Sequence, residues 1–198
     1  MEPFMRAGVT NLELGGNANS LHSVGRRAFS AMEQAREDIS RCIGCRPDEL
    51  IFTSGATEAD NTALYGIVSA VKTARLASDG AGFIPHVITS SIEHEAVLAP
   101  ARHLRRMGVQ VTVLKPNKQG FITVEQVAEA LQPNTILVSL MLANNEVGSI
   151  QPIAEIVRLA HEQGVYVHTD AVQALAKIPV NVGELGVDAA SFSAHKIC

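Results

Sequence analysis

Two apolar segments decide the fold: TILVSLML at residues 135–142 and VYVHT at residues 165–169, separated by a segment with helical periodicity at residues 153–163. Short runs of β-branched and apolar residues predict buried strands, whereas apolar residues at three- and four-residue spacing predict a helix. The same alternation continues in both directions. Further strands are predicted at 49–53, 85–89, 109–114 and 188–193, and further helices at 22–43, 57–77, 95–107 and 123–131. This order predicts an α/β fold with a mainly parallel sheet sandwiched by helices.

The composition is that of a globular domain. The 198-residue chain is 46% hydrophobic and 18% charged, with a formal net charge of -4 and no basic stripe, so we expect no nucleic-acid partner. No apolar run approaches the roughly 18 to 20 residues of a membrane span, so we expect no membrane partner. Three cysteines cannot build a disulfide framework, and the start lacks a basic secretory segment. We expect a cytoplasmic location, with an organelle such as the mitochondrion as the alternative.

Polar clusters follow five of the six predicted strands. They are Ser54-Gly55-Ala56-Thr57-Glu58, Ser91-Ile92-Glu93-His94-Glu95, Asn144-Asn145-Glu146, Asp170-Ala171-Val172-Gln173 and Ala194-His195-Lys196. Ligands of open α/β sheets bind beyond the carboxyl ends of the strands, so we expect these clusters to share one rim. The remaining loop, residues 115–120, is interpreted as a plain solvent-exposed turn.

The segment Ser54-Gly55-Ala56-Thr57 has small residues and a hydroxyl between a strand and a helix. This arrangement is typical of phosphate binding at a helix N-terminus. An ordinary N-cap with Glu58 or Asp60 in the first turn is an equally good interpretation.

Asp170 and Lys196 end neighbouring predicted strands. A buried carboxylate needs a cationic partner, and a desolvated lysine can attack a carbonyl. Together with a phosphate cup and a histidine that could stack, these residues fit a pyridoxal phosphate site. A plain ion pair between Asp170 and Lys196 is the alternative.

Five motifs resemble, in this order and spacing, those of the pyridoxal-phosphate-dependent cysteine desulfurases and the closely similar selenocysteine lyases of the class V aminotransferase group. They are Ser54-Gly55-Ala56-Thr57-Glu58, Glu93-His94-Glu95, Ala143-Asn144-Asn145-Glu146-Val147-Gly148, His168-Thr169-Asp170-Ala171-Val172-Gln173 and Ser191-Phe192-Ser193-Ala194-His195-Lys196. The resemblance implies the large domain of the pyridoxal-phosphate-dependent transferase fold, truncated at both ends. Residues 1–15 would be an N-terminal lead-in and residues 16–198 a partial cofactor-binding large domain, without the C-terminal small domain.

The resemblance also implies a role for each site residue. Lys196 would bind the cofactor covalently and move protons, and His94 would stack on the ring and act as an acid/base group. Asp170 would pair with the ring nitrogen. The remaining cofactor contacts would be made by Gln173 and Asn145 at the ring hydroxyl and by Ala56, Thr57, Ser193 and His195 at the phosphate. No residue is assigned to a metal.

The implied activity converts L-cysteine to L-alanine and transfers the sulfur to an enzyme persulfide, for iron-sulfur or thio-cofactor synthesis. A sulfur-acceptor protein and a second copy of the chain are the implied partners. Selenocysteine lyase, acting on L-selenocysteine, is one alternative, and an inactive fragment or pseudoenzyme subunit that acts by association is another. The nucleophilic cysteine of the family lies in a loop that is absent here, so Cys198 is not assigned that role. We expect the chain to retain the cofactor-facing architecture without turnover by itself.

Overall fold

The structure is a computed structural model that describes residues 16–79 and 82–197. The lead-in expected at residues 1–15 lies outside these residues. The chain divides into two compact units, with the boundary after Ile51. Each unit is described by itself below.

The first unit contains one long helix, α1 (Ser23–Ile43). His22 caps its start, since the imidazole Nδ1 accepts a hydrogen bond of 3.1 Å from the Gly25 amide. Gly44 ends it in a left-handed conformation (φ 75°), which glycine adopts without a steric penalty. The predicted boundaries of this helix are therefore confirmed.

The strand predicted at residues 49–53 is wrong. Pro47–Glu49 forms a short 3-10 turn, in which the fixed φ of Pro47 favours the turn and the Glu49 carboxylate accepts a hydrogen bond of 2.8 Å from the Arg46 amide. The residues that follow are extended, but they pair with no strand among the described residues. A run of apolar residues predicts a strand only where a neighbouring strand accepts it.

The second unit alternates helices and strands as predicted. Its elements are α2 (Ala56–Asp79), β1 (His86–Ser90), α3 (Glu95–Arg106), β2 (Gln110–Leu114), α4 (Val124–Ala130), β3 (Thr135–Ser139), α5 (Ile153–Glu162), β4 (Tyr166–Asp170), α6 (Val182–Leu185) and β5 (Ala189–Ser191), followed by a 3-10 turn at Ala194–Lys196. The strand order is β2-β1-β3-β4-β5, and every described pair is parallel. The predicted α/β fold is confirmed.

Both faces of the sheet are covered by helices. Successive residues of a strand point to opposite faces, so Val87 and Ile88 of β1 enter two different cores. Val87 packs with Leu64 of α2, whereas Ile88 packs with Ile156 of α5. Because the strands are parallel, their carboxyl ends meet at one edge of the sheet, and the loops that follow them gather there. No helix among the described residues has the length and apolar character of a membrane span.

Candidate functional site

Two cavities lie beside the loops at the carboxyl ends of the strands, and His94 lines both. The first, of about 490 Å³, runs between α2 and α3 and includes Thr57 and Asn61. The second, of about 590 Å³, is lined by residues 91–95, 116–120 and 144–147. His94 therefore connects the start of α2 with the loop that carries Asn145.

The turn at residues 116–120 is more than the plain exposed turn suggested by the sequence, because it forms one wall of the second cavity. The Gly120 carbonyl accepts hydrogen bonds from the Ser149 hydroxyl at 2.8 Å and the Gln151 amide group at 2.9 Å. These bonds fasten the turn to the loop after β3. The contact joins distant segments, so no local signal in residues 115–120 could have indicated it.

Asn145 is held in the wall of the second cavity by its neighbour Asn144. The Asn144 side-chain oxygen, Oδ1, accepts hydrogen bonds of 2.9 Å from the backbone amides of Glu146 and Val147. Its side-chain nitrogen donates to the Ile92 carbonyl at 3.0 Å, which ties this loop to the one that carries His94. Asn144 is buried and structural, whereas Asn145 is exposed to the cavity.

The sequence left two interpretations of the start of α2 open, a phosphate site and an ordinary helix N-cap. The Glu58 carboxylate accepts a hydrogen bond of 2.6 Å from the Ser54 amide, so Glu58 does stabilise the first turn. The amides of Ala56 and Thr57 make no hydrogen bond among the described residues. A side chain added at Gly55 would meet nothing within 4 Å, so the backbone faces open space here. Free amides at an accessible helix start are suitable donors for a phosphate.

Asp170 lies at the end of β4 with only 6% of its surface exposed. Its Oδ1 atom accepts a hydrogen bond of 3.0 Å from the Val172 amide. Burial raises the pKa of Asp170, and the hydrogen bond from Val172 and the nearby His94 oppose that rise. The carboxylate is therefore held where a cationic group would stabilise it.

His94 caps the N-terminus of α3. Its Nδ1 atom accepts a hydrogen bond of 3.1 Å from the Ala96 amide, which leaves Nε2 as the nitrogen that can hold an exchangeable proton toward the cavities. Glu93, next to His94, accepts a hydrogen bond from the Met141 amide, and the following amide, that of Leu142, donates to the Asp170 carbonyl at 2.9 Å, so the His94 loop adjoins the end of β4. Two of the predicted site residues from different loops are thus brought together.

Lys196, Ser193 and His195 lie on the segment after β5. Asp170 and Ser191 are paired in register, so this segment leaves the sheet at the same edge as Asp170. The Ser193 hydroxyl and His195 Nδ1 lie 2.8 Å apart. Lys196 is exposed, and no ion pair joins it to Asp170 in the described part of the chain. The alternative of a plain Asp170–Lys196 ion pair is not realised.

Gln173 is directed toward Lys177 in this structure. The Gln173 Oε1 atom accepts a hydrogen bond of 2.5 Å from the Lys177 ammonium group. The side-chain nitrogen of Gln173 has no hydrogen-bond partner among the described residues, so the contact with a ring hydroxyl that the resemblance implies needs no exchange of partner.

The sequence did not indicate that two acids next to the site are buried. Asp60 is fully buried on α2, and Glu93 is 6% exposed in the loop before α3. Burial, with the charge of Asp170 adding to it, raises the pKa of Asp60 to about 7 and that of Glu93 to about 8. Helical spacing contained a signal for Asp60, since it precedes the buried Leu64 by one turn.

His168 lies beneath the site in a buried polar network. Its Nδ1 and Nε2 atoms are each 2.9 Å from a serine hydroxyl, that of Ser139 on β3 and that of Ser191 on β5. Burial lowers the pKa of His168 to about 4, so the imidazole is neutral at physiological pH. The neutral ring therefore bridges three neighbouring strands where they approach the site.

Comparison with known proteins agrees with this geometry. The family model described as aminotransferase class-V matches residues 8–198. The chain is 45% identical over 196 residues to a cysteine desulfurase IscS of Dictyoglomus turgidum, covering 99% of this chain and 46% of that protein. It is 43% identical over 183 residues to a cysteine desulfurase of Homo sapiens, covering 92% of this chain and 38% of that protein.

Solved structures are similar over almost the whole chain. A structure described as SspA in complex with cysteine has a TM-score of 0.86 and 37% identity, covering 98% of this chain and 52% of that chain. A NifS-like protein has a TM-score of 0.87 and 36% identity, covering 98% of this chain and 51% of that one. The chain thus spans about half the length of the proteins it resembles.

Proposed function

Because this chain belongs to the class-V aminotransferase family, we propose that it forms the cofactor-binding part of a pyridoxal-phosphate-dependent cysteine desulfurase. The substrate is L-cysteine, and the products are L-alanine and a sulfur atom held as an enzyme persulfide. The observation that carries the proposal is the buried Asp170 carboxylate beside His94, at the strand ends and without a cationic partner among the described residues.

The donor groups of the site fit this cofactor. The free amides of Ala56 and Thr57 and the polar groups of Ser193 and His195 would hold the phosphate. Asn145 would contact the ring edge from the second cavity. Gln173 would do so through its side-chain nitrogen, which is not used in the contact with Lys177. When bound, pyridoxal phosphate supplies an electron-withdrawing ring that stabilises negative charge on the substrate.

Asp170 holds a negative charge at the ring nitrogen in this proposal. A carboxylate that is buried, and whose pKa is raised by burial, gains stability when a cation is placed beside it. A protonated ring nitrogen is such a cation. Asp170 therefore favours the protonated form of the ring, and the ring favours the charged form of Asp170.

His94 and Lys196 move protons. Since Nδ1 of His94 accepts from the Ala96 amide, Nε2 is the atom that can donate or accept a proton in the cavities. The amine of Lys196 is the nucleophile that binds the cofactor and, once released, a base for the substrate. Its exposure on a short turn leaves the side chain free to reach either position.

The partners are part of the same proposal. A similar solved protein is described as a complex with cysteine, which supports L-cysteine as substrate. A sulfur-acceptor protein would receive the persulfide sulfur, and a second copy of the chain would complete a homodimer. The cytoplasm is the proposed location.

Cofactor binding by Lys196 is the decisive test. The chain is mixed with pyridoxal phosphate, and we expect an absorbance band near about 400 nm that borohydride reduces to a stable adduct on the Lys196 peptide. Lys196→Ala should remove the adduct, whereas Lys72→Ala on α2 should retain it. An adduct that survives Lys196→Ala unchanged would refute the assignment.

Substrate choice is tested on the loaded chain. L-Cysteine and L-serine share the amine that reacts with the bound cofactor, and we expect L-cysteine to change its absorbance at lower concentration because only the thiol fits the proposed substrate site. A response to L-selenocysteine in the absence of a response to L-cysteine would instead identify a selenocysteine lyase.

A further inference from the structure

Three acidic side chains converge between α2 and the carboxyl ends of the strands. Asp60 extends from α2, Glu93 from the loop before α3 and Asp170 from the end of β4. Asp60 is fully buried, and Glu93 and Asp170 are each 6% exposed. The Asp60 Oδ1 atom lies 3.5 Å from Nε2 of His168, two residues before Asp170 on β4. The Met141 amide donates to Glu93 Oε1, and the next amide, that of Leu142, donates to the Asp170 carbonyl at 2.9 Å, so the three acids lie around the end of β4.

Few donors stabilise negative charge on Asp60 and Glu93. Neither carboxyl oxygen of Asp60 has a hydrogen-bond partner among the described residues, and the same is true of Glu93 Oε2. Glu93 Oε1 accepts hydrogen bonds from the Ser90 hydroxyl and from the Met141 amide, the latter at 3.1 Å. A buried carboxylate without donors is strongly destabilised, whereas a neutral carboxylic acid is tolerated.

No cation compensates these acids within the described part of the chain. His168 Nε2 lies 3.5 Å from Asp60 Oδ1, but burial keeps that imidazole neutral by lowering its pKa. The Ser191 hydroxyl is the other polar group that acts on Asp60, and it opposes the rise of the Asp60 pKa. No lysine or arginine among the described residues forms an ion pair with any of the three acids.

Asp170 differs from the other two in its surroundings. It accepts a hydrogen bond from the Val172 amide, and His94 lies close enough to stabilise its negative charge. Neither of its oxygens is both buried and without a hydrogen-bond partner, in contrast to Glu93 Oε2 and both carboxyl oxygens of Asp60. Of the three acids, Asp170 is therefore the one on which a negative charge costs least.

We propose that Asp60 and Glu93 are positioning residues that remain neutral carboxylic acids, so that the single negative charge of the cluster rests on Asp170. This inference rests on the proposed function for the use of that charge, which is to face the ring nitrogen of the cofactor. The assignment of the charge within the cluster does not depend on the cofactor. Asp60 and Glu93 thus act through Asp170.

The order of titration in the full 198-residue chain, without cofactor, tests the assignment. Carboxyl-carbon NMR spectra are recorded across the pH range for the wild type and for Asp60→Asn, Glu93→Gln and Asp170→Asn. Glu162→Gln, an exposed acid on α5, is the control variant. Folding of each variant is checked by its amide spectrum.

We expect Asp170 to ionise at lower pH than Asp60 and Glu93. Asp170→Asn should lower the midpoints of Asp60 and Glu93 by about one pH unit, because it removes a nearby negative charge. Asp60→Asn and Glu93→Gln should leave the Asp170 midpoint in place, since each replaces one neutral group with another. Glu162→Gln should change none of the three.

A midpoint for Asp60 or Glu93 below that of Asp170 would overturn the inference, as would a fall of the Asp170 midpoint in Asp60→Asn. If a variant does not fold, the order of the three wild-type midpoints decides alone. Failure of the proposed function is recognised separately, since a chain that forms no Lys196 adduct with pyridoxal phosphate can still show the expected titration.

Cofactor binding provides the second readout. In the loaded chain, Asp60→Asn should keep the visible absorbance band and its pH profile, whereas Asp170→Asn should shift that profile because the ring nitrogen loses its anionic partner. Equal effects of both variants on the profile would contradict the positioning role.

Discussion

The Nε2 atom of His168 and the Oδ1 atom of Asp60 lie 3.5 Å apart, and both side chains are fully buried. An imidazole and a carboxyl group at this distance often form an ion pair. Burial lowers the pKa of His168 to about 4 and raises the pKa of Asp60 to about 7, so each group favours its neutral form. Between these values the pair is neutral, which avoids the cost of burying two charges.

The first prediction concerns the pH dependence of stability. Asp60 and Glu93 keep their protons in the folded chain up to pH values of about 7 and about 8, whereas the unfolded chain releases them near 3.8 and 4.5. These two acids therefore make the unfolding free energy fall as the pH rises through that window. His168 makes the unfolding free energy rise with pH between about pH 4 and pH 6.5. Of these three groups, only the two acids therefore change the unfolding free energy above pH 6.5.

In Asp60→Asn, the unfolding free energy should fall less steeply with pH between pH 6.5 and about 7. The slope should decrease by up to about 1.4 kcal/mol per pH unit, as expected for one fewer proton released on unfolding. Urea unfolding at several pH values measures it, with Glu162→Gln as the control. An unchanged slope in Asp60→Asn would mean that Asp60 is already ionised in the folded chain.

The second prediction concerns the bridge made by His168. His168→Phe keeps an aromatic ring but removes both nitrogen atoms, so the buried hydroxyls of Ser139 and Ser191 each lose a partner. We expect a loss of about 2 to 4 kcal/mol in the unfolding free energy. His161→Phe, which removes a partly exposed contact with Asp188, should cost less than about 1 kcal/mol. Equal losses in urea unfolding would contradict the role of the bridge.

Local patterns in the sequence sufficed for most of the fold. The five paired strands lie at or next to the predicted segments, because buried parallel strands contain continuous apolar runs such as Ile136-Leu137-Val138 in β3. The segment 49–53 has the same kind of pattern but no partner strand among the described residues, and pairing is a property of the whole fold.

The candidate site was predictable only in part. Clusters after strands indicated His94 and Asp170, because the carboxyl ends of parallel strands must meet. Thr57 follows a predicted strand that does not form, although it lines the first cavity together with His94. The closeness of Asp60 and Glu93 to Asp170 was not predictable, since it depends on the packing of α2 against the sheet. The contact between Gln173 and Lys177 is likewise a choice of side-chain rotamer that no sequence pattern reveals.

The third prediction separates Asn144 from Asn145. Asn144→Ala removes the acceptor for two backbone amides and the donor to Ile92, so we expect a loss of about 1 to 3 kcal/mol and faster hydrogen exchange at residues 146 and 147. Asn145→Ala should change stability by less than about 0.5 kcal/mol, because its side chain is exposed to the cavity. Faster exchange in Asn145→Ala and not in Asn144→Ala would reverse the assignment.

The fourth prediction concerns the wall of the second cavity. Gly120 has φ 83°, and a methyl group there would lie 3.2 Å from the Ser149 hydroxyl and from a Val147 methyl group. Gly164 has φ 66° with nothing within 4 Å, so Gly164→Ala isolates the backbone strain. We expect Gly164→Ala to cost about 1 kcal/mol and Gly120→Ala about 2 to 3 kcal/mol, the difference being the crowding of the cavity wall.

Thermal unfolding compares the two glycine variants under the same conditions. A cost at Gly120 no larger than that at Gly164 would show that the turn at residues 116–120 can move away from the loop after β3 without loss. The wall of the cavity would then be adjustable rather than fixed.

The last strand, β5, is aligned with β4 through only three residue pairs. Sliding it by a single position would turn Ser191 to the opposite face of the sheet and carry Ser193 and Lys196 with it. The hydrogen bond from Ser191 to His168 is available in only one alignment. Contact with the buried imidazole of His168 therefore favours one alignment of β5 on β4. That alignment in turn determines where the segment carrying Lys196 leaves the sheet.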